Sequence, residues 1–164
     1  VQDFEPSFYP TSSESQLAEN TYRFGFTGIT AGRWLADRLH REFGMPTRFF
    51  DFGADPAHYS FVNDQPRDSV FFYARPETPR RGFEIGAMAL DIFARERPEH
   101  RIILAGQNLS RLDLPFAHTT VGNLPVDELN AVYNQCVAGL VMSLTNMSLL
   151  PLELLAAGVI CVPG

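Results

Sequence analysis

The segment Val137 to Gly164, VAGLVMSLTNMSLLPLELLAAGVICVPG, constrains the fold more than any other stretch. It reads as buried strand, polar loop, short helix, Gly stop and second buried strand. Two apolar strands joined by a helix form a parallel pair, because a helical crossover returns the chain in the same direction. Within the apolar helix sits one carboxylate, Glu153. Burying an unpaired charge is costly. Glu153 therefore either points out of the core at a ligand or occupies an ordinary exposed position.

The same alternation extends upstream. SVFFYA (Ser69 to Ala74), RIILAG (Arg101 to Gly106) and His118 to Val121 read as strands. From Arg81 to Arg95, residues Ile85, Met88, Ala89, Ile92 and Phe93 recur at helical spacing. Leu129, Val132, Tyr133 and Cys136 make another helical stripe. Nearly continuous apolar strands alternating with helices predict an α/β fold: a Rossmann-like parallel sheet with helices on both faces. Ahead of it, Gly32 to Phe43 reads as a helix whose core face carries Leu35, Leu39 and Phe43, stopped by Gly44 and Pro46. Thr47 to Phe52 is a strand candidate. Gly53 to Arg67 has the turn chemistry of a linker. Residues 1–20, rich in Pro, Ser and acidic side chains, read as an irregular loop.

A chain of 164 residues holds one full core, or one domain plus a piece of another. It begins at Val1 without Met and stops directly after a strand-like run, so we read it as a piece of a larger protein. The net charge of −6 argues against nucleic-acid binding, which needs a basic surface. No apolar run approaches the roughly 20 residues that span a bilayer. Cys136 and Cys161 read as small buried hydrophobes without metal-ligand spacing. Two glycosylation-type triplets, Asn108-Leu109-Ser110 and Asn146-Met147-Ser148, carry no weight without a sign of secretion. The expected compartment is the cytoplasm.

Ligands of parallel sheets bind beyond the carboxyl ends of the strands. Four loops lie there: Arg75 to Arg81, Gly106 to Ser110, Gly122 to Pro125 and Ser143 to Leu149. The first places Arg75 at a strand end and Arg80 and Arg81 at a helix start. Cations are mildly unfavourable at a helix N-terminus, and a bound anion resolves that conflict. The other reading is a solvated basic turn with Glu77 as partner. In the second, Gly106 allows a ligand to approach the backbone or simply makes a tight turn. In the fourth, Ser143, Thr145 and Asn146 precede a helix with Pro151 in its first turn. They form either an anion cradle or a capping cluster, and Glu153 can accept from two adjacent hydroxyls, as on a ribose. His58 and His118 lack a nucleophile, and the order around Asp51 does not suit a phosphoacceptor. The absence of GxGxxG weakens a nicotinamide-dinucleotide reading.

Taken in order, these segments resemble the retaining nucleotide-sugar glycosyltransferases of the GT-B fold, family four. The likeness runs from the Arg loop through VGNLPVDELNAVYNQCVAGLVMSLTNMSLLPLELLAAGVICVPG. QDFEPSFYP, AENTYRFGFTGIT and GADPAHY are similar to a narrower group, the rhamnosyltransferase-like enzymes of surface polysaccharide synthesis. The resemblance implies that residues 1–67 are the end of an acceptor domain and its crossover, and residues 68–164 an incomplete donor domain. It implies Arg75 and Arg81 as the catalytic cations on the donor diphosphate, with Arg80 as a competing choice and Glu153 on the ribose. Gly106, Ser143, Thr145 and Asn146 complete the implied donor site. The family has a second glutamate eight positions before the ribose ligand; here that position is Thr145. The implied reaction moves a sugar, L-rhamnose from dTDP-L-rhamnose in the narrower group, to a glycan or lipid-linked glycan without a metal. Any membrane contact, at the inner face, falls to parts outside this chain. A non-catalytic nucleotide-sugar-binding module is the alternative.

Overall fold

A computed structural model describes residues 1–106, 109 and 112–164. The chain divides into two compact units, Val1–Gly53 and Ala54–Gly164.

The first unit pairs two parallel strands, β1 (Gly28–Ala31) and β2 (Thr47–Phe50). Between them runs α2 (Arg33–Phe43), which follows α1 (Ser13–Asn20). Leu35 and Leu39 of α2 are buried with Phe4, Tyr22 and Met45, as the apolar spacing predicts. Gly44, in the left-handed conformation, ends α2 by donating its N–H to the His40 carbonyl. Two elements differ from the sequence reading. Residues 13–20 are helical, capped by Ser12 Oγ, which accepts from Ser15 N at 3.3 Å. This helix buries none of its residues, so no apolar period announces it. The sequence does not announce strand β1, because its one large apolar residue, Ile29, is exposed while Gly28, Thr30 and Ala31 are buried.

The second unit holds a five-stranded parallel sheet in the order β5-β4-β3-β6-β7. Its strands are β3 (Ser69–Ala74), β4 (Arg101–Gly106), β5 (Thr119–Gly122), β6 (Cys136–Val141) and β7 (Ile160–Pro163). Helix α3 (Phe83–Glu96) covers one face; α4 (Val126–Tyr133) and α5 (Leu150–Ala156) cover the other. Alternate residues of the strands feed the two cores. Phe71, Ile103 and Val141 face α4 and α5; Val70, Phe72, Ile102 and Leu104 face α3. This is the predicted two-sided parallel sheet.

Three glycines set the close contacts. A Cβ on Gly86 would lie 2.5 Å from the Phe72 ring, so α3 approaches the sheet through that position. This corrects the expected stripe of α3. Phe83, Gly86 and Leu90 are buried, whereas Ile85, Met88 and Ile92 face outward. The helix is apolar on two faces, and the glycine decides which one packs. A Cβ on Gly139 would meet Leu154 at 2.7 Å, so α5 lies close on β6. Gly106 has φ 125°, and a Cβ there would sit 2.2 Å from the Ala74 carbonyl oxygen. The β3–β4 pairing thus demands that glycine.

The segment 54–67 is no free linker. Val62 N and Asn63 N donate to Asn134 Oδ1 at 2.8 and 3.1 Å, and Arg67 donates to the Gly158 carbonyl at 2.7 Å. Cys136 is the first residue of β6 rather than part of the α4 stripe. It is fully buried, and desolvation pushes its thiol up to about 12. Burial likewise raises Cys161, and both cysteines are free.

Candidate functional site

From β3 the chain winds outward through β4 and β5, then returns to the other side of β3 with β6 and β7. The crevice at such a reversal is open, because the flanking connections leave in opposite directions. A cavity of about 270 Å³ lies there. Ordinary ligand pockets begin at roughly 300 Å³. Tyr73 and Arg75 line it from the end of β3, Val141 and Met142 from the end of β6, and Val126, Leu129 and Tyr133 from α4. Met147, Ser148, Leu149, Leu150 and Glu153 close the α5 side; Tyr59 and Arg81 complete the lining.

Arg75 lies over the Tyr73 ring, 4.6 Å from its centroid, and Nη2 donates to the Tyr73 hydroxyl at 3.1 Å. Stacking on an aromatic ring holds a guanidinium without consuming its charge. Arg81 sits in the 3-10 turn Pro79–Arg81, just before Gly82, whose φ of 55° separates that turn from α3. Its Nη1 donates to Ser143 Oγ at 3.1 Å and to the Asn146 carbonyl at 2.7 Å. The turn after β3 is thereby fastened to the loop after β6. Leu144 N donates to the Arg80 carbonyl at 2.8 Å, a second link between the same segments. The Arg80 side chain is not among those lining the cavity.

The loop from Ser143 to Leu149 is organised by its own polar groups. Ser143 Oγ donates to the Asn146 carbonyl at 2.9 Å, and Thr145 N donates to Ser143 Oγ at 3.4 Å. Ser148 N donates to Asn146 Oδ1 at 2.7 Å, which supports Ser148 in the left-handed region at φ 63°. Such a conformation costs a non-glycine residue about 1–2 kcal/mol. Leu149, the N-cap of α5, makes no side-chain cap hydrogen bond.

Glu153 is half-buried on the inner side of α5. Leu154, fully buried against Gly139, fixes the helix rotation that turns it inward. Tyr133 donates its hydroxyl to Glu153 Oε2 at 3.3 Å. Desolvation raises the Glu153 pKa; the neighbouring Tyr133 and Tyr59 hydroxyls oppose that rise. Burial and the nearby carboxylate push both phenols up in turn.

The structure therefore brings Arg75, Arg81 and Glu153 to one cavity. Ser143 and Asn146 reach it through Arg81, and Thr145 through the Ser143 hydroxyl. Gly106 is placed in the sheet, and Asn108 and Ser110 of its loop and of the first glycosylation-type triplet lie outside the described residues. Sequence reasoning missed the three tyrosines. A buried Tyr needs a partner for its hydroxyl, so Tyr133 in an apolar stripe was a usable signal. Tyr59 gave none, because only the path of segment 54–67 carries it there. Among the described residues no three His, Cys, Asp or Glu gather into a metal-binding cluster, and no helix is long and apolar enough to cross a membrane.

Residues 68–163 match the family described as WsaF, C-terminal domain. The chain belongs to that family. It is 36% identical over 170 residues to the O-antigen biosynthesis protein RfbC of Myxococcus xanthus, covering 97% of this chain and 13% of that protein. This chain thus spans a small part of the curated relative. Sucrose-phosphate synthase from Thermosynechococcus elongatus superimposes with a TM-score of 0.73 at 18% identity, over 98% of this chain and 47% of its own. That likeness shows the fold, the GT-B fold of glycosyltransferases, in agreement with the resemblance read from the sequence.

Proposed function

We propose that the cavity binds the nucleoside diphosphate of an activated sugar, and that the protein transfers the sugar to a growing surface glycan. One observation carries this reading. Two arginines and one carboxylate line the same cavity at the point where the strand order reverses. Guanidinium groups match the oxygens of a diphosphate, and a carboxylate matches neighbouring sugar hydroxyls. Arg75 and Arg81 stabilise the charge that develops as the diphosphate departs. Removing a donor that acts at such a charge costs about 2.7–4 kcal/mol in comparable sites. Glu153 holds the ribose. Ser143 and Asn146 fix Arg81, and Thr145 stands where the retaining GT-B enzymes of family four, which the sequence resembles, carry a carboxylate beside the transferred sugar.

The family match and the name of the RfbC relative support a role in O-antigen or related polysaccharide synthesis. Within that class we propose a hexosyl donor, dTDP-L-rhamnose, a lipid-linked or growing glycan acceptor, a metal-independent reaction and a cytoplasmic site of action. Calorimetric titration with dTDP, UDP and GDP tests the donor site. Binding of at least one is expected; a folded protein that binds none of them has no such site. Thr145, at the position where the retaining GT-B enzymes of family four carry a carboxylate, favours a second reading, a non-catalytic nucleotide-sugar-binding module. Turnover of a radiolabelled donor by the full-length protein separates the two.

A further inference from the structure

Two phenols from separate parts of the chain converge on one carboxylate that faces a cavity. Tyr133, at the end of α4, is 1% exposed and packs edge-on against Phe71, with ring centroids 5.0 Å apart. Its hydroxyl donates to Glu153 Oε2 at 3.3 Å. Tyr59, 6% exposed, stacks on Tyr133 at 5.9 Å and stands beside the same carboxylate. The segment carrying Tyr59 is stapled to α4. Asn134, 4% exposed, accepts from Val62 N and Asn63 N and donates to the Ser60 carbonyl at 2.9 Å. Ser60 N donates to Asn130 Oδ1 at 3.1 Å. That staple costs a buried amide and several ordered residues, and its product is a second phenol beside Glu153.

We infer that Tyr133 and Tyr59 are positioning residues for nucleotide binding: they hold the Glu153 carboxylate aimed into the cavity, so that a hydroxyl of the ligand's sugar meets a fixed acceptor. The inference rests on the donor-site reading and adds to it the groups that make Glu153 usable. An ionised carboxylate offers about four lone-pair positions. The Tyr133 hydroxyl occupies one of them, and Tyr59 packed on the Tyr133 ring holds that donor in place; the remainder is left for the ligand. Without them, a half-buried carboxyl in this apolar pocket tends to protonate, and a protonated carboxyl is a poorer acceptor. The ionisable groups facing Glu153 are these two tyrosines, together with Tyr73, Arg75 and Arg81, which line the same cavity. Cys161 of β7 packs against the same core, where burial keeps its proton on.

The test compares the wild type with Tyr133→Phe, Tyr59→Phe and the double variant. Phenylalanine keeps the ring packing and removes only the hydroxyl. Calorimetry measures the affinity for dTDP, UDP, 2′,3′-dideoxy-UDP and pyrophosphate between pH 4.5 and 8. In each variant the acid-side loss of nucleotide affinity should move to higher pH, with a loss of up to about fivefold on that limb, largest for Tyr133→Phe. The preference for UDP over its dideoxy analogue should shrink, and pyrophosphate affinity should stay at the wild-type level. An unchanged pH profile and an unchanged hydroxyl preference overturn the inference. A parallel loss of pyrophosphate does so as well, because it assigns the tyrosines a general structural role. A wild type that binds no nucleotide removes the donor-site reading instead. A carbon-13 titration of the Glu153 carboxyl in the free protein then still decides the positioning role. The carboxyl must titrate at higher pH in the variants, and coincident titrations reject the role.

Discussion

The two charged groups of the cavity are built in opposite ways. Arg75 and Arg81 stand on a turn between β3 and α3, and their side chains reach outward to find partners: the Tyr73 hydroxyl, Ser143 Oγ and the Asn146 carbonyl. Glu153 stands on a short helix pinned by a fully buried leucine, and the partners come to it from α4 and from segment 54–67. The carboxylate depends on its surroundings, since burial favours its neutral form. One side of the cavity supplies charge; the other supplies a conditional acceptor whose properties the fold tunes.

Substitutions can break this contrast, and the largest effect is expected on the cationic side. Arg81→Ala removes a charge and cuts the link to the loop after β6, so affinity for dTDP or UDP should fall about 100-fold. A change within twofold would show that Arg81 serves only the loop. Arg75→Ala should cost about tenfold and should weaken pyrophosphate more than the nucleoside. Equal losses for both ligands would move Arg75 away from the diphosphate.

On the carboxylate side, Glu153→Gln should leave pyrophosphate binding intact and reduce nucleotide affinity about fivefold, the range of one net hydrogen bond. Its effect on stability has the opposite sign. Burial raises the Glu153 pKa in the folded state above its unfolded value. The stability tied to this group is therefore full below the unfolded pKa and is lost as pH rises through the folded pKa. Glutamine escapes that loss. The melting temperature of the variant should exceed that of the wild type at pH 7–8, and the gap should close near pH 4. A gap that widens in acid would mean that Glu153 is stabilised as the anion. The smallest effect is expected from a chelator: if the two arginines neutralise the diphosphate alone, turnover by the full-length protein should not change. A loss restored by a divalent cation would transfer that role to a metal.

Much of the second unit was legible. SVFFYA and RIILAG are strands over the very residues whose composition marks them, because strands buried on both faces need continuous apolar side chains. The arginine turn was legible for a related reason. Charged residues directly after a buried strand can only lie at its end. Helix α3 was legible as a helix but not in its orientation, because its exposed Ile85, Met88 and Ile92 mimic a core stripe. Helix α1 was hidden by its polarity, and β1 by the small or polar residues on its buried side.

For this protein the sequence alone determined the layer architecture, the direction of the strands and the loops that hold charge. Those follow from local rules: apolar periodicity, turn residues and the parallel geometry of helical crossovers. Tertiary structure decided the rest. It selected Arg81 over Arg80 for the cavity lining, through contacts with a loop more than sixty residues away. It also joined Tyr59, Tyr133 and Glu153. No local pattern encodes that meeting, because each hydroxyl arrives on a different element and only packing fixes their separation. Glu153 is an ordinary glutamate in the sequence; its acceptor character comes from the two phenols that the fold delivers to it.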